Sequence, residues 1–295
     1  MKRTIRVGSR DSVLSVIQAQ IVMDAVKAAN PAVEFELVAI KTSGDKNTSA
    51  ALDSAAGKDL FTRELEQALA DGSIDIAVHS YKDMPYEASE DLPVVALSER
   101  ESPFDVLVLP RGAAALDSSK PAGSSSLRRT IQFAKLYAGV ATRPVRGNVP
   151  TRLAKLDGGE YSALILAHAG LIRLSLQDRV SRVFTLDEMI PAASQGILAV
   201  QGRQGEDYSY LGGFHSRESE IVSRAERRFL KTLGGGCSSP AAVFGQLHNG
   251  ELLLAGMYAG PCGCMETGRI NGGADEAEQL GETLAMRLKM KWEGK

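Results

Sequence analysis

The sequence predicts an α/β protein that ends in a small α+β domain. Apolar, β-prone runs alternate with amphipathic helical patterns up to about residue 190, and this alternation favours mostly parallel sheets. From Ser216 onward the order changes to a helix, two strands and a final helix. The length of 295 residues is enough for two or three domains rather than one.

Charge and composition narrow the function classes. The chain is 44% apolar and 24% charged, with a formal net charge of −2, so no overall field attracts nucleic acid or an anionic membrane. The N-terminus lacks the apolar core of a signal peptide, and no apolar run is long enough to span a bilayer. Three cysteines, an odd number, argue against a disulfide framework, and none has the partners of a zinc site. We therefore expect a cytoplasmic protein without a metal and without a membrane or nucleic-acid partner.

The first strand, residues 4–8, leads through a turn into a helix. Apolar residues at four-residue spacing predict the buried face of this helix; they are Val13, Ile17, Ile21 and Ala25. Asp11 or Ser12 is the expected N-cap. Arg10 and Ser12 would then lie where free backbone N–H groups favour anions. A surface salt bridge is the alternative for Arg10.

The segment Asp75–Pro85 carries the strongest candidate for catalysis. Ile76 and Val78 are apolar and β-prone, and Pro85 cannot continue a strand because it has no N–H to donate. Lys82 and Asp83 would thus lie at the carboxyl end of a predicted parallel strand, the edge at which open α/β sheets bind ligands. A solvated ion pair at a strand end is the alternative.

The remaining elements of the first domain follow the same alternation. A second strand is predicted over 33–40, and the polar stretch 42–59 is expected to be a mobile loop. A helix from about 61 to 70 would bury Phe61, Leu65 and Leu69. Strands are expected near 94–97 and 106–109, and residues 197–200 are predicted to return the chain to the first sheet.

The second α/β block, from about residue 104 to 190, carries two arginine clusters. In Gly123–Arg129, three serines precede Arg128 and Arg129 at a predicted helix start with Ser126 as N-cap, which would form an anion cradle. Arg146 and Arg152 flank a Gly-Asn turn, and a guanidinium can bond both oxygens of a carboxylate. Capped helices with solvated surface arginines are the alternative in both places.

The C-terminal block places a thiol in a glycine-rich loop. Ile221, Ala225 and Phe229 share one helical face, and glycines 234–236 end that helix directly before Cys237. Strands are expected near 243–247 and 252–257, followed by an amphipathic helix with Ala277, Leu280, Leu284 and Leu288. Cys237 has no histidine or asparagine arrangement that marks a protease nucleophile. Cys262 and Cys264 are interpreted as free surface thiols.

These motifs, in their order from Ile5 to about Leu288, resemble the porphobilinogen deaminase (hydroxymethylbilane synthase) family. The matching motifs are Gly8–Ser12, Asp75–Pro85, Ser125–Arg129, Arg146–Asn148 with Thr151–Leu153, Gln195–Gly196, Ala225–Arg227 and Gly235–Cys237. Each motif is short, but their order and spacing together are highly specific.

The resemblance implies a transferase of tetrapyrrole and heme biosynthesis. It would join four porphobilinogen molecules head to tail, release ammonia at each addition, and free linear hydroxymethylbilane by hydrolysis. It also implies a dipyrromethane cofactor bound covalently through Cys237. The implied fold is two periplasmic-binding-protein-like α/β domains around a cleft, residues 1–99 with 196–215 and residues 100–195, plus a cofactor-carrying α+β domain, residues 216–295. We expect a monomer.

The family's site residues carry over onto matching positions. Asp83 would be catalytic, giving a proton to the departing ammonia and then stabilising the cationic electrophile. The implied cofactor-binding residues are Cys237, Lys82, Asp83, Ser125, Ser126, Arg128, Arg129 and Arg146. The implied substrate-binding residues are Arg10, Ser12, Gln18, Ser80, Arg146, Arg152, Gln195 and Gly196.

Several positions depart from the family pattern, and two other functions remain open. Phe104 stands where the family usually has arginine, Asp59 and Ser194 replace glycines, and Gln201 replaces a glutamate, while Pro121 interrupts a β-rich stretch. A slow or degenerate paralogue that only binds the cofactor is one alternative. A non-catalytic protein that binds small anions with the same fold is the other.

Overall fold

The computed structural model describes residues 4–42, 62–86, 89–234, 240–260 and 264–294. The chain divides into two compact units. One comprises Met1–Glu101 with Ile197–Glu220, and the other comprises Ser102–Gly196 with Ile221–Lys295. The predicted boundaries of three domains stay a prediction. Three predictions lie wholly or largely outside the described residues: the mobile loop over 42–59, the burial of Phe61 and the loop position of Cys237.

The described residues form the strands and helices that are numbered here in chain order. Strands β1 to β13 are Thr4–Arg10, Glu34–Ile40, Ile76–Ser80, Val94–Leu97, Asp105–Val108, Ala122–Gly123, Thr142–Arg143, Ala163–Ala167, Arg182–Val183, Leu198–Gln201, Ala241–His248, Glu251–Ala259 and Met265–Gly273. Helices α1 to α7 are Val13–Ala29, Arg63–Ala70, Leu127–Leu136, Val149–Asp157, His168–Arg173, Arg217–Thr232 and Ala277–Glu293. Within the described residues, none of the helices combines the length and apolar character that crossing a bilayer requires.

The first unit is built on a five-stranded sheet with the order β2-β1-β3-β10-β4. Strand β1 is parallel to β2 and β3, whereas β10 is antiparallel to both β3 and β4. Helix α1 packs on one face and helix α2 on the other, each burying apolar side chains against β3. The return of residues 197–200 to this sheet is therefore confirmed, and β3 is held in its centre.

Helix α1 begins as predicted but buries a different face. Ser12 is its N-cap, and the Ser12 hydroxyl accepts a hydrogen bond from the Ser15 N–H. The predicted apolar stripe is wrong, because Val13 and Ile21 are exposed. The buried face is instead made by Gln18, Ala19, Val22, Met23 and Val26. Apolar residues occur all round this helix, so four-residue spacing alone could not choose between two stripes.

The second unit contains a five-stranded sheet with the order β7-β6-β8-β5-β9. Strand β6 is parallel to β7 and β8, and β5 is antiparallel to β8 and β9. Both five-stranded sheets thus have an antiparallel strand in the fourth place, and they are mixed rather than mostly parallel. Strands β5 and β10 each follow a change from one unit to the other, so no crossover helix within the sheet forces them to be parallel.

The second unit also contains the predicted α+β part, and with it the expected fold class is confirmed. Strands β11, β12 and β13 form an antiparallel sheet against α6 and α7, with Leu280, Leu284 and Leu288 buried. A Cβ on Gly281 would lie 2.1 Å from the Ala225 carbonyl oxygen, so glycine allows the two helices to approach closely. The sequence did not predict β13, which is largely exposed and has no apolar run.

Candidate active site

Strand β3 and the turn after it place Asp83 at the edge of the first sheet. Ile76 and Val78 are buried in the core, and the strand ends at Ser80. Tyr81, Lys82 and Asp83 then form a 3₁₀ turn, anchored by the hydrogen bond from the Tyr81 N–H to the Ile197 carbonyl. Asp83 is exposed, while Tyr81 and Met84 beside it are buried. A carboxylate is therefore presented to solvent from a rigid base.

A pocket of about 320 Å³ in the first unit brings four predicted residues together. It is lined by Arg10, Ser15, Gln18, Thr62, Val78, His79, Ser80, Asp83 and Met84. The predicted members are Arg10, Gln18, Ser80 and Asp83. Gln18 is buried and its Nε2 donates to the Ser80 hydroxyl at 2.9 Å, which fixes both polar groups at the pocket wall.

Ser12 and Lys82 lie close to this pocket without lining it. The Ser12 hydroxyl is 2.8 Å from that of Ser15, a lining residue, and it also caps α1. Lys82 is half-buried in the same 3₁₀ turn as Asp83. Ser12 therefore has a structural role in the described residues, and its contact with a substrate stays a prediction.

His79 also lines the pocket, and the sequence reasoning missed it. Its side chain is buried in β3, and burial lowers its pKa to about 4, with the nearby positive charge of Arg10 adding to the effect. The sequence did contain a feature that pointed to His79: it is a titratable residue inside an otherwise apolar predicted strand.

In the second unit, Arg128 and Arg129 share a buried counterion, Asp105. Arg128 Nη1 donates to one carboxylate oxygen at 2.6 Å, and Arg129 donates to the other from Nη2 at 2.7 Å and from Nε at 3.0 Å. Burial alone would raise the pKa of the Asp105 carboxyl, but the charges and hydrogen bonds of the two guanidiniums lower it well below its ordinary value. The carboxylate therefore stays ionised and holds both arginines in place.

These contacts change the interpretation of the predicted anion cradle. Arg128 also donates to the Ile190 carbonyl at 2.9 Å, and the Ser125 hydroxyl donates to the Val145 carbonyl at 2.8 Å. Ser126 is the N-cap of α3, as expected, but its side chain makes no capping hydrogen bond. The alternative of solvated surface arginines is therefore wrong for Arg128 and Arg129, because both are buried against Asp105. Their assignment to the cofactor stays a prediction.

The turn before α4 has the predicted form. Asn148 caps the helix through a 2.9 Å hydrogen bond from the Thr151 N–H, and Pro150 lies in the first turn. Arg152 Nε donates to the Gly147 carbonyl at 2.7 Å. Arg146 and Arg152 are both half-buried, at the carboxyl end of β7. The arginines that follow parallel strands β6 and β7 thus lie along one edge of the second sheet.

Gln195 and Gly196 join the same hydrogen-bonded cluster. Gln195 is buried, and its Nε2 donates to the Pro103 carbonyl at 2.6 Å and to Asp105 at 3.0 Å. The Gly196 carbonyl accepts a 2.7 Å hydrogen bond from Arg173, at the end of α5. The sequence reasoning missed Arg173, although an arginine that soon follows a buried strand was a usable signal.

Glu226, in the Ala225–Arg227 motif, fixes the backbone before Gln195. Its fully buried carboxylate accepts from the Ser194 N–H and from the Gly245 N–H, both at 2.6 Å. Ser194 has a φ of 59°, in the left-handed region that favours glycine, and within the described residues its buried hydroxyl has no partner. The motif therefore has a positioning role that the sequence alone did not indicate.

The departures from the family pattern have local structural correlates where they are described. Phe104 packs against Phe244 with ring centroids 6.1 Å apart, so an apolar contact replaces a charge. Gln201 is buried beside His79 and donates to the Leu92 carbonyl at 2.9 Å. Asp59 lies outside the described residues.

Among the described residues, no group of three or more His, Cys, Asp or Glu side chains could hold a metal ion.

Comparison with known proteins identifies the family. The model of the porphobilinogen deaminase, dipyromethane cofactor binding domain matches residues 5–210, and that of the porphobilinogen deaminase, C-terminal domain matches residues 221–290. A porphobilinogen deaminase from Acetivibrio thermocellus is 52% identical over 284 residues, covering 96% of this chain and 97% of that protein. One from Alkaliphilus oremlandii is 49% identical over 285 residues, covering 97% and 96%. The chain therefore belongs to the porphobilinogen deaminase family, a family of transferases in tetrapyrrole biosynthesis.

Proposed function

We propose that this chain is a working hydroxymethylbilane synthase in which Asp83 moves the protons and Cys237 holds the dipyrromethane primer. The observation that carries the proposal is the exposed Asp83 carboxylate on a rigid turn, in one pocket with Arg10, Gln18 and Ser80. A binding protein for small anions has no use for a carboxylate in such a pocket. The family assignment supports the substrate, porphobilinogen, and the class of cofactor.

The chemistry of the second sheet edge fits the cofactor. Dipyrromethane carries acetate and propionate groups, and the edge supplies the guanidiniums of Arg128, Arg129, Arg146 and Arg152. When bound, this group supplies the pyrrole carbon to which the first substrate is joined. Asp105 neutralises only part of the charge of Arg128 and Arg129, since one carboxylate faces two guanidiniums. A net positive charge remains there for an acidic ligand.

Asp83 would serve each addition twice. As an acid it gives a proton to the amine of porphobilinogen, so that the C–N bond breaks and ammonia leaves with the bonding electrons. As a carboxylate it then stabilises the cationic methylene carbon that remains. After the new C–C bond forms, the carboxylate takes up the proton lost from the pyrrole carbon. The acid form is thereby restored for the next addition.

Arg10 would hold the substrate rather than change it. It lines the same pocket as Asp83, and a guanidinium bonds both oxygens of an acetate or propionate group. Gln18 and Ser80, already joined by their hydrogen bond, would add uncharged contacts.

We further propose that the protein works as a cytoplasmic monomer. Size-exclusion chromatography coupled to light scattering would measure its oligomeric state.

Intact mass tests the cofactor assignment. The purified protein should exceed its sequence mass by two pyrrole units, and the excess should map to the peptide that contains Cys237. Cys237→Ser should abolish both the adduct and the consumption of porphobilinogen. Cys264→Ser is the matched control, because Cys264 is an exposed cysteine outside the glycine-rich loop and its loss should leave the adduct in place.

Two results would contradict this function. An active protein with an unmodified Cys237, or with an adduct on Cys262 or Cys264, would overturn the attachment site. A protein that carries the adduct but consumes no porphobilinogen would instead be the degenerate paralogue. Mass and turnover together therefore separate the enzyme from both alternatives.

A further inference from the structure

His79 and Gln201 form a buried polar pair beneath the Asp83 pocket. Strands β3 and β10 are antiparallel neighbours, with His79 opposite Ala199 and Ala77 opposite Gln201. His79 and Gln201 are therefore diagonal neighbours on one face of the sheet, a spacing that long side chains can bridge. Both side chains are buried, and His79 also lines the pocket with Arg10 and Asp83.

The hydrogen bonds of Gln201 fix the direction of its amide. Its Nε2 donates to the Leu92 carbonyl at 2.9 Å and to Glu66 Oε1 at 3.3 Å, which uses both N–H groups. Its Oε1 is buried, and within the described residues it has no partner that meets hydrogen-bond criteria. The same is true of His79 Nε2. Two diagonal neighbours in the sheet thus each have one buried, unpaired atom: the acceptor Oε1 of Gln201 and the ring nitrogen Nε2 of His79.

An amide oxygen can only accept, so the ring nitrogen that faces it must carry the proton. A neutral imidazole has one N–H, and if that proton is on Nε2, the lone pair is on Nδ1. We propose that His79 is held by Gln201 as the neutral Nε2–H tautomer, and that its Nδ1 accepts a hydrogen bond from the pyrrole N–H of a substrate in the Asp83 pocket. The substrate part of this proposal rests on the proposed function.

The charges around His79 favour the neutral ring. Arg10 faces it from β1 and disfavours a second positive charge, while Glu66 of α2 lies beyond Gln201 and is bonded to its amide nitrogen. Asp83 follows on the turn after β3 and shares the pocket. Burial has the largest effect and brings the pKa to about 4, so near neutral pH the ring keeps an acceptor. Asp83 remains for the aminomethyl group and the cationic carbon formed from it, and His79 for an uncharged N–H group.

The tautomer can be measured without any turnover. The protein has four histidines, and two-bond proton–nitrogen correlation spectra of the ¹⁵N-histidine-labelled holoenzyme distinguish Nδ1–H, Nε2–H and doubly protonated rings. The signal absent from His79→Gln assigns His79. The expected pattern is Nε2–H, unchanged between about pH 6 and 8, where an ordinary histidine titrates. An Nδ1–H or a doubly protonated ring would overturn the proposal, whether or not the enzyme is active.

Two variants test the role of each ring nitrogen. His79→Gln keeps an N–H donor toward Gln201 but has no acceptor at the position of Nδ1, so the KM for porphobilinogen should rise about tenfold while kcat changes less. Gln201→Glu should raise the His79 pKa and add a fall in kcat/KM on the acid side that the parent lacks. His248→Gln, at an exposed histidine, is the control and should match the parent. An unchanged KM in His79→Gln would refute the substrate contact, while the spectra would still decide the tautomer.

Discussion

Replacing Ser194 by glycine should stabilise the protein. Ser194 is 1% exposed and its φ of 59° places it in the left-handed region, where a Cβ crowds the following carbonyl. Its hydroxyl is buried and, within the described residues, unpaired. Its N–H donates to Glu226 at 2.6 Å, and glycine retains this hydrogen bond. The substitution therefore removes two unfavourable features and no described contact.

The size of the effect follows from these two features. Relief of the left-handed conformation contributes about 1–2 kcal/mol, and removal of an unpaired buried hydroxyl contributes about 1–3 kcal/mol. The greater freedom of glycine in the unfolded chain subtracts about 0.5–1 kcal/mol. We expect the free energy of unfolding to rise by about 1–4.5 kcal/mol, with the thermal midpoint up by several degrees.

Thermal unfolding followed by circular dichroism measures this change, and two controls separate its causes. Ser194→Ala removes the hydroxyl but keeps the left-handed strain, so it should stabilise less than Ser194→Gly. Ser162→Ala removes another buried, unpaired hydroxyl from a residue without a positive φ, and reports on the hydroxyl alone. Equal midpoints for the two variants at 194 would show that the strain is absent. A lower midpoint for Ser194→Gly than for the parent would refute the reasoning.

Three further predictions concern the site. Asp83→Glu should consume porphobilinogen slowly and Asp83→Asn almost not at all, because general acid–base assistance contributes about 10²–10⁴-fold to the rate. Both variants should keep the parental circular dichroism spectrum. Parental turnover by Asp83→Asn would exclude Asp83 as the catalytic group. Arg152→Ala should keep the mass adduct but slow elongation. Arg129→Ala should lose the adduct and also lower the stability, since Asp105 then loses a charged partner. Full adduct and full activity in both variants would contradict the carboxylate-binding role of these arginines. The Asp105 pKa is lower in the folded protein than in the unfolded chain. The contribution of this carboxylate to stability is therefore present above about pH 4 and is lost as the pH falls toward its folded pKa. When both proteins are acidified below pH 4, the thermal unfolding midpoint of Asp105→Asn should fall less than that of the parent.

The elements that local patterns specify were predicted well. The apolar alternation before Asp83 gave strand β3, and Asn148 with Pro150 gave the start of α4, because caps and strand ends depend on near neighbours in sequence. The buried face of α1 was missed because its apolar residues surround the helix, and the packing sheet chooses among them. Strand β13 was missed because an exposed edge strand needs no apolar run.

The site was predictable as a set of residue types but not as a set of contacts. Arg10 ends strand β1 and Asp83 follows the parallel strand β3, so sheet topology alone places them at one edge. The partner of Arg128 and Arg129 is Asp105, which enters from another strand of the sheet. The pairing of His79 with Gln201 depends on β10 returning to lie beside β3. Such contacts are set by which distant strands become neighbours, and no local pattern encodes that choice.

The position of β10 has a consequence for synthesis on the ribosome. Strand β10 lies between β3 and β4, yet it is translated roughly a hundred residues after them. Until it emerges, the nascent N-terminal segment has two unpaired strand edges, which are sites for mispairing and aggregation. All five strands from β5 to β9 lie within Ser102–Gly196, so that sheet can complete its pairing first. Chain truncations before β10 should therefore yield a first unit that depends on chaperones, while a fragment spanning 102–196 can pair its sheet unaided.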